Sequence, residues 1–591
     1  MPKTVDNHGS SSYEQVRLTQ DNQIKRTMFI SLLCVFVGII AGFGAVGFRY
    51  LIDFFYNLFF HGILSFEGKD ATAAISRWGK YVILVPAFGI ALANFITEKW
   101  APEAKGHGVP EVMAAVALNQ GKIRPVVALV KTFASAITIG SGGSVGREGP
   151  IVQIGSSFGS TLGQMFKLSS RETIILVGAG AAGGISATFN APIGGVMFAL
   201  ELILPEYSIM TIMPLVVSST VATYLAAIFL GTSPAFIIPQ YSMVSPYELI
   251  FHIFLGLLAG LLSVGFIKAV YRVEDAIDKI KVPSLVKSLV GGTLIGVIGY
   301  LSLTFFGAYY IFGVGYEFMD FVLANQATSF FMLLLLIGLK VLANTLTLGS
   351  GGSGGIFAPS LFLGAALGGA VGIVVNAAFP GSTGSVAAYA MVGMAAVVSG
   401  VTGGVLTSII MLFEMTRNYE IMLPVMLAAV IAHFIAKLLY SDTMYTKKLT
   451  RRGVQIQLDK RISTFKGLSV ADILKKGIVS CQPSDTVKDT LSVMYTHELG
   501  VLPVIDAEQN VLGTISYKEL YKAKAADTDT IGPYVFRHPI TIPSKSNLSD
   551  ALEVMEKGKS DILVVQDGNK NLGIITIKRI VRFTMEKSRL S

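Results

Sequence analysis

Two nearly identical glycine-serine stretches decide how this sequence is interpreted: GSGGSVGREGP at residues 140–150 and GSGGSGGIFAP at residues 349–359. Each follows a threonine and an apolar residue, and the offset between the copies is 359 − 150 = 209 residues. Long apolar runs flank both copies. The repetition predicts a chain of two related halves, each of which contributes one turn to a common site.

The composition is that of a membrane protein. Of the 591 residues, 52% are hydrophobic and 14% are charged, and the mean hydropathy is +0.61. Soluble domains carry about a quarter charged residues. The 62 glycines are spread among the apolar runs, where glycine lets membrane helices approach closely. We therefore predict a polytopic α-helical membrane protein and exclude a soluble regulator.

Apolar runs follow one another along most of the chain, and about 20 helical residues span a hydrocarbon core. The long runs are 27–60, 81–97, 125–139, 210–230, 249–270, 289–306, 330–346 and 422–439. Shorter runs, interrupted by glycine or proline, are 149–166, 173–185, 192–204 and 357–375. Short interrupted segments at matching places in two halves indicate a transport site. They predict a transport domain over residues 27–449, with halves of roughly 27–230 and 246–449, after an N-terminal segment 1–26.

Charge predicts the topology. Basic residues follow the last apolar run, and by the positive-inside rule they mark a cytoplasmic side. Segment 1–26 is polar and lacks the apolar core and cleavage site of a signal peptide. We expect a multi-pass protein of the cell membrane, surrounded by lipid, with both termini cytoplasmic. The net charge of +9 reflects this topology and does not indicate nucleic acid as a partner. The basic residues are Lys447, Lys448, Arg451, Arg452, Lys460 and Arg461.

Residues 450–591 have a different character, because short charged and apolar stretches alternate there. VLPVIDAEQNVLGTIS at 501–516 is similar to ILVVQDGNKNLGIIT at 562–576, and DTLSVM at 489–494 matches DALEVM at 550–555. Each unit reads as helix, strand, turn, strand, helix. The region resembles a tandem pair of cytoplasmic CBS domains, the first over about 470–525 and the second over about 530–588.

The CBS resemblance implies a regulatory role and, in many such pairs, an adenine nucleotide ligand. CBS domains often contact ribose through an acid after G-x-x-[ST]-x-x, where this chain has Glu519 in the first unit and Arg579 in the second. Glu519 suits ribose and Arg579 suits phosphate, with Ser516 and Thr576 beside them. The alternative is a dimerising scaffold that binds no nucleotide.

Two further motifs imitate enzyme signatures. G-x-S-x-G occurs at 142–146 and 351–355, and G-x-G-x-x-G occurs at 178–183. A nucleophile elbow needs a preceding strand, a histidine and an acid, and a dinucleotide fingerprint needs a βαβ unit, whereas these motifs lie among apolar runs. Close helix packing explains the glycines of 178–183 better. We expect no enzyme and no metal site, and Cys34 and Cys481 are predicted to be unpaired thiols.

The two turns suit an anion. A glycine-serine turn that opens a helix leaves backbone N–H groups without partners, and together with the helix dipole these bind an anion without a full positive charge. An ionisable residue at this depth, Glu148, is a functional hypothesis by default. In this hypothesis the carboxylate is itself an anion, so it occupies the site until protonation releases it. The alternative is a structural pair of Glu148 with Arg147.

These motifs identify residues 26–449 as similar to CLC chloride channels and transporters. The GREGP motif of that family stands at 146–150, its GxFxP motif at 355–359, its asparagine-alanine-proline segment at 190–192 and its tyrosine at Tyr445. The resemblance implies an inverted-repeat membrane domain and a homodimer with one pore per subunit. It implies chloride as the transported ion and requires no cofactor.

The resemblance also assigns roles to residues. It implies that the backbone N–H groups of Ile356 and Phe357 and the hydroxyl of Tyr445 hold the anion, and it makes Glu148 the gating glutamate. Gly149 belongs to the same anion site. The supporting residues are Gly146, Arg147 and Gly355.

The first anion motif departs from the family pattern. The family usually has GSGIP, whose serine touches the anion, whereas residues 106–110 read GHGVP and His107 replaces the serine. Neutral imidazole donates one N–H, and imidazolium donates two and adds charge. Either His107 donates to the anion or it points away and a backbone amide does so. Preference for chloride over other anions is therefore an open question.

A second departure concerns protons. Laying the segment 187–206 on the pattern of proton-coupled members puts Leu202 where their internal glutamate stands, with Glu201 one residue earlier. One residue of helix turns a side chain by about 100°, so we expect Glu201 to support the structure or the dimer interface. A leucine cannot carry a proton, which favours a passive channel over a proton-coupled antiporter that uses another route. Glu414 is predicted to be a buried structural carboxylate with backbone partners.

Overall fold

The structure, a computed structural model, forms two compact units, Met1–Ile456 and Gln457–Ser591. It describes residues 9–66, 75–204, 208–236, 238, 244–453, 469–474, 480–496, 500–508, 510–535, 540–558, 562–567, 570–580 and 582–583. The basic residues Lys460 and Arg461 lie outside the described residues.

The first unit is helical and its helices repeat. In the first half they are α1 Gly9–Tyr56, α2 Val85–Trp100, α3 Val109–Leu118, α4 Val126–Gly140, α5 Glu148–Met165, α6 Ser170–Phe189, α7 Pro192–Phe198 and α8 Ile209–Leu230. In the second half they are α9 Glu248–Lys279, α10 Ser284–Phe306, α11 Tyr316–Leu323, α12 Phe330–Gly349, α13 Phe357–Ala378, α14 Val386–Thr402, α15 Val405–Thr416 and α16 Met422–Leu439. A final helix, α17, covers Met444–Arg451. The order matches an inverted repeat of tilted and broken helices, as the resemblance implied.

Some helices differ from the sequence expectation. α5, α6 and α13 are continuous over Glu148–Met165, Ser170–Phe189 and Phe357–Ala378, so the expectation of interrupted segments at 149–166, 173–185 and 357–375 was wrong. α3, α11, α14, α15 and α17 were not predicted, because each is shorter than a membrane span. α1 begins at Gly9, within the segment that we had set apart as 1–26. Within the described residues, nine helical stretches are long and apolar enough to cross a membrane.

Glycines let α5 and α6 touch backbone to backbone. A Cβ on Gly155 would lie 2.2 Å from the Gly180 oxygen, and a Cβ on Gly180 would lie 2.1 Å from the Gly155 oxygen. α13 and α14 repeat this contact, with Gly364 and Gly393 at 2.3 and 2.2 Å from each other's oxygens. The glycines of 178–183 therefore lie in a packed helix, which confirms their interpretation as packing residues.

The two glycine-serine turns bind each other. Gly146 N–H donates to the Gly355 oxygen at 2.8 Å, and Gly355 N–H donates to the Gly146 oxygen at 2.6 Å. Ser144 N–H donates to Thr347 Oγ1 at 3.1 Å, and its counterpart, Ser353 N–H, donates to Thr138 Oγ1 at 3.2 Å. Equivalent residues thus exchange equivalent bonds, which is the signature of a two-fold relation between the halves.

A second exchange joins the halves at α7 and α15. Glu201 caps α15, because its Oε2 accepts from Thr407 N–H at 2.8 Å and from Thr407 Oγ1 at 2.7 Å. Glu414 caps α7, because its Oε2 accepts from Gly194 N–H at 2.6 Å. The carboxylates satisfy N–H groups that have no partner within their own helix. The structural roles expected for Glu201 and Glu414 are confirmed in this respect.

The second unit contains two small sheets. Strands β1 Val501–Ile505 and β2 Val511–Ser516 are antiparallel. In the other sheet, β3 Thr541–Ile542 is parallel to β4 Ile562–Asp567, which pairs antiparallel with β5 Lys570–Thr576. The helices are α18 Val470–Ile473, α19 Val487–Thr496, α20 Tyr517–Lys522 and α21 Leu548–Gly558. The internal repeat is confirmed, and the short helix α18 and the two-residue strand β3 were not predicted.

Candidate functional site

The site lies where the N-termini of α5 and α13 meet, at the paired turns. Each helix has a proline as its third residue, Pro150 in α5 and Pro359 in α13. Proline fits this position because its missing N–H has no partner in the helix anyway. The N–H groups of the first turn of each helix have no partner within their own helix, and the helix dipoles favour negative charge there. The Gly146–Gly355 pair fixes these two helix ends relative to each other.

Glu148 lies over this meeting point. Its side chain is buried, and Oε2 accepts from Ala358 N–H at 3.4 Å. Oε1 accepts from the Tyr316 hydroxyl at 3.4 Å. A Cβ on Gly146 would lie 2.1 Å from Oε2, so the carboxylate folds back over that glycine. Both hydrogen bonds are near the upper limit of length, and the carboxylate is therefore held from two sides without a tight clamp.

Arg147 is directed at Tyr316 rather than at Glu148. Its guanidinium lies 5.0 Å from the centre of the Tyr316 ring, and Nη2 donates to the Thr188 oxygen at 3.4 Å. Nε has no hydrogen-bond partner among the described residues, and there is no Arg147–Glu148 ion pair among them either. The alternative interpretation, in which Glu148 and Arg147 form a structural ion pair, is therefore not supported by a contact between the two side chains.

His107 lies in the turn before α3 and is almost fully buried, at 3% exposure. Its backbone touches the site: a Cβ on Gly149 would lie 2.0 Å from the His107 oxygen, and a Cβ on Gly108 would lie 2.6 Å from the Gly149 oxygen. The imidazole stands edge-on to Tyr271 with ring centres 6.3 Å apart. Both ring nitrogens lack a partner among the described residues. The close approach therefore requires glycine at 108 and 149, and the imidazole is available to a ligand.

Tyr445 lies in the first turn of α17 and is buried. The Tyr271 hydroxyl donates to the Met444 oxygen at 2.6 Å, and Arg452 holds both oxygens of Glu111 in α3 at 2.8 Å. These contacts fix α17 against α9 and α3. In the same helix, Lys448 Nζ donates to the Lys105 oxygen at 3.5 Å and lies 2.9 Å from the position of a Cβ on Gly106. The structure thus brings the tyrosine, the His107 turn and the two paired turns together.

The remaining predicted residues of the first unit are two at the start of α13 and one after α7. Ile356 precedes α13 and Phe357 begins it, both are buried, and the Phe357 ring packs 5.6 Å from Phe189. Leu202 lies in a π-helical turn, Ala199–Ile203, after α7 and is buried in the apolar core. Its neighbour Glu201 is bound to α15. Leu202 is therefore surrounded by apolar side chains and not by a polar network.

Sequence reasoning missed Ala358 and Tyr316, the two donors to Glu148. A signal for Tyr316 existed, because 316 − 107 = 209 makes it the second-half counterpart of His107. It also missed two buried lysines with the same relation, 340 − 131 = 209. Lys131 and Lys340 are both fully buried.

In the second unit, the candidate nucleotide residues stand at helix starts. Ser516 caps α20, and Glu519 Oε2 accepts from its N–H at 3.0 Å and its hydroxyl at 2.8 Å. Thr576 Oγ1 accepts from Arg579 N–H at 3.1 Å, and Arg579 Nε donates to the Ile473 oxygen at 3.4 Å. The Glu519 carboxylate is therefore engaged in its own helix cap.

Comparison with known proteins agrees with this architecture. Residues 89–437 match the family described as voltage gated chloride channel, and residues 470–526 and 531–586 each match the CBS domain family. A putative chloride channel protein ClcB-like of Ralstonia nicotianae is 32% identical over 393 residues, covering 65% of this chain and 89% of that protein. The H(+)/Cl(−) exchange transporter ClcA of Vibrio cholerae serotype O1 is 30% identical over 458 residues, covering 76% and 93%.

Solved structures agree as well. A slow cyanobacterial Cl−/H+ antiporter matches with a TM-score of 0.63 and 25% identity, covering 72% of this chain and 97% of that one. A eukaryotic CLC transporter shares the fold with a TM-score of 0.61 and 18% identity over 93% and 97%. This chain therefore belongs to the CLC family of anion channels and transporters, as a multi-pass membrane protein followed by two CBS domains.

Proposed function

We propose that this protein conducts chloride passively across the membrane, as a channel gated by protonation of Glu148. The observation that carries the proposal is the position of the Glu148 carboxylate, between Ala358 N–H at the start of α13 and the Tyr316 hydroxyl. A carboxylate that accepts from helix-terminal N–H groups occupies the place of an anion. When protonated, it loses its charge and leaves the site to chloride.

We call the position of the Glu148 carboxylate, beside Ala358 N–H and the Tyr316 hydroxyl, the seat. The anion ligands are the residues around this seat. The backbone N–H groups of Ile356 and Phe357 and the Tyr445 hydroxyl donate to the ion, and Gly149 allows the close backbone approach. We assign His107 as a further donor, because its buried ring nitrogens have no partner among the described residues. Backbone and neutral donors bind an anion weakly enough for it to leave again, as conduction requires.

The proposal that chloride movement is not coupled to proton movement rests on Leu202 and Glu201. Leu202, at the place of the internal proton glutamate, is buried among apolar side chains. Glu201 accepts three hydrogen bonds from the first turn of α15, at 3.2, 2.8 and 2.7 Å. A carboxylate fixed in this way serves a helix cap, and its movement would leave N–H groups without a partner. This arrangement supports a channel.

A second candidate is a proton-coupled chloride antiporter. Its support is that relatives of comparable similarity are named exchange transporters or antiporters. In this candidate, protons cross the inner half of the membrane through water or through other side chains, because Leu202 cannot carry a proton. Glu148 carries the proton across the outer half.

Regulation and assembly follow from the family. We propose a homodimer with one pore per subunit and with both termini on the cytoplasmic side, where Lys447 and Lys448 follow the last long apolar helix. The CBS pair regulates the pore, either by binding an adenine nucleotide or as a scaffold.

The deciding experiment is a reversal potential measured in planar bilayers. Under a fixed chloride gradient, the pH on one side is changed. A potential that follows only the chloride gradient supports the channel, whereas a shift with the proton gradient supports the antiporter. Glu148→Gln is measured beside it, and we expect its flux to lose the pH dependence of the native protein. A variant that keeps the native pH dependence would contradict the gating role.

A further inference from the structure

Two buried lysines hold two related turns in the same way. Lys131 Nζ donates to the Ala104 oxygen at 2.9 Å, and Lys340 Nζ donates to the Gly313 oxygen at 3.2 Å, and these acceptors are also 313 − 104 = 209 residues apart. The lysines are counterparts in the repeat, since 340 − 131 = 209. The turn before α3 and the turn before α11 are therefore equivalent parts of the two halves.

His107 and Tyr316 occupy the same place in these turns. Each follows a glycine with a left-handed backbone, Gly106 at φ 82° and Gly315 at φ 87°. In an inverted repeat, equivalent residues approach the central site from opposite sides of the membrane. His107 stands edge-on to Tyr271 on one side, whereas Tyr316 donates to Glu148 on the other.

A chamber of about 270 Å³ lies on the Tyr316 side. Its polar lining includes Arg49, Asp53, Tyr56, Arg147, Tyr316 and Glu317. Glu148 does not line it and is 1% exposed. The wall between the chamber and the carboxylate contains the Tyr316 ring, with the Arg147 guanidinium 5.0 Å from its centre and Phe236 packed edge-on at 5.5 Å.

We propose that Tyr316 is the latch of the gate: its hydroxyl holds the Glu148 carboxylate in the seat, and its ring closes the seat from the chamber. Tyr316 is then a positioning residue that sets the pH at which the pore opens. This inference rests on the proposed gating role of Glu148. It goes beyond that role because it names the side chain that holds the carboxylate and separates it from the chamber.

The physical reason lies in the charge of the seated form. A hydroxyl that donates to an ionised carboxylate stabilises the charged state over the protonated one. The other groups that face the seat or the chamber are Arg147, Arg49, Asp53, Glu317 and, near the carboxylate, Tyr445. All of them remain in Tyr316→Phe, which also keeps the aromatic ring under Arg147 and beside Phe236. The variant therefore removes one O–H and little else.

The experiment measures chloride efflux from liposomes with the full-length protein over a range of pH. Without the O–H, the carboxylate takes up a proton more readily, so we expect half-maximal flux in Tyr316→Phe to move to higher pH by about half a unit to one unit. The matched control is Tyr56→Phe, because Tyr56 lines the same chamber and its hydroxyl has no partner among the described residues. An unmoved midpoint, or an equal shift in the control, overturns the proposal.

A double variant separates the latch from a general effect on the pore. If Tyr316 acts through the carboxylate, Glu148→Gln and Glu148→Gln/Tyr316→Phe conduct equally. If Tyr316→Phe changes flux in the Glu148→Gln background by the same factor as in the native protein, the latch is overturned. Failure of the gating role itself is distinguishable, because Glu148→Gln alone would then keep the native pH dependence. Thermal unfolding of each variant identifies any misfolded one, and Tyr316→Trp then serves as a second substitution that removes the hydroxyl and keeps an aromatic ring.

Discussion

Gly146 and Gly355 exchange two backbone hydrogen bonds, of 2.8 and 2.6 Å, across the interface between the two halves. Their relation makes the pair a two-fold contact in which each residue is donor and acceptor. The first residues of α5 and α13 follow directly, so the contact fixes the geometry of both helix ends at once. The position of the Glu148 carboxylate therefore depends on one backbone donor at a fixed helix end, Ala358 N–H, and on one side-chain donor, the Tyr316 hydroxyl.

Gly146→Ala should open the gate without altering any charge. The added methyl would lie 2.1 Å from Glu148 Oε2, the mobile end of a side chain, and at 3.2 Å or more from its other neighbours. Overpacking costs about 1–3 kcal/mol, which corresponds to a roughly 5- to 150-fold smaller seated population. We expect flux at alkaline pH to rise toward the level at acid pH, as measured by chloride efflux from liposomes.

The control for this variant is Gly338→Ala in α12, where an added Cβ meets nothing within 4 Å. It should keep the native flux and pH profile. A folded Gly146→Ala protein that still closes at alkaline pH would show that the seat over Gly146 is not the closed position.

His107→Ser should change the selectivity of the site. In the variant, one hydroxyl takes the place of an imidazole whose two nitrogens can donate or accept. Hydrogen bonds to charged groups contribute about 1.5–3 kcal/mol. We expect the ratio of nitrate to chloride flux to change severalfold. Anion substitution in bilayer recordings measures this ratio.

The matched control is His252→Ser. His252 is another buried histidine whose ring nitrogens lack partners among the described residues, but it stacks on Tyr389 between α9 and α14. Its substitution should leave selectivity unchanged. Identical selectivity in native protein and His107→Ser would assign the donor at this position to the backbone.

Glu201→Ala and Glu414→Ala should have equal and purely structural effects. Each removes a carboxylate cap from the first turn of a helix in the other half, and loss of a cap costs about 0.5–2 kcal/mol. We expect a lower melting temperature for both in detergent and no change in reversal potential. Glu420→Ala, at an exposed carboxylate, is the reference. A proton-dependent potential that disappears only in Glu201→Ala would instead assign a proton route to Glu201.

Arg579→Ala tests the nucleotide site of the CBS pair. The Glu519 carboxylate, predicted to contact ribose, is engaged by Ser516, so the test is placed on Arg579, which is predicted to contact phosphate. We expect calorimetric titration of the full-length protein with ATP to show binding that weakens about tenfold in the variant, or about 1.4 kcal/mol. Lys522→Ala, an exposed residue of α20, should bind normally. Absence of heat with native protein would favour the scaffold.

Much of the fold could be predicted from local patterns. The long apolar runs became helices, the offset of 209 residues marked the two halves, and the strand-turn-strand pattern of the CBS repeat was correct. The helices of the first unit that were missed are α3, α11, α14, α15 and α17, all of which are shorter than a membrane span. The burial of α14 and α15 depends on α13 and α7, which pack against them only in the folded chain.

The sequence by itself determined the class of the site: two repeated turns, a glutamate in one of them and glycines that permit close approach. These features follow from local chemistry, because helix starts, turns and small residues act within a few positions of the chain. Only the tertiary structure decided the partners. Glu148 meets Ala358 and Tyr316, and Glu201 meets Thr407, across about two hundred residues of chain. Such contacts are absent from local patterns because they arise where the two halves of the chain pack against each other.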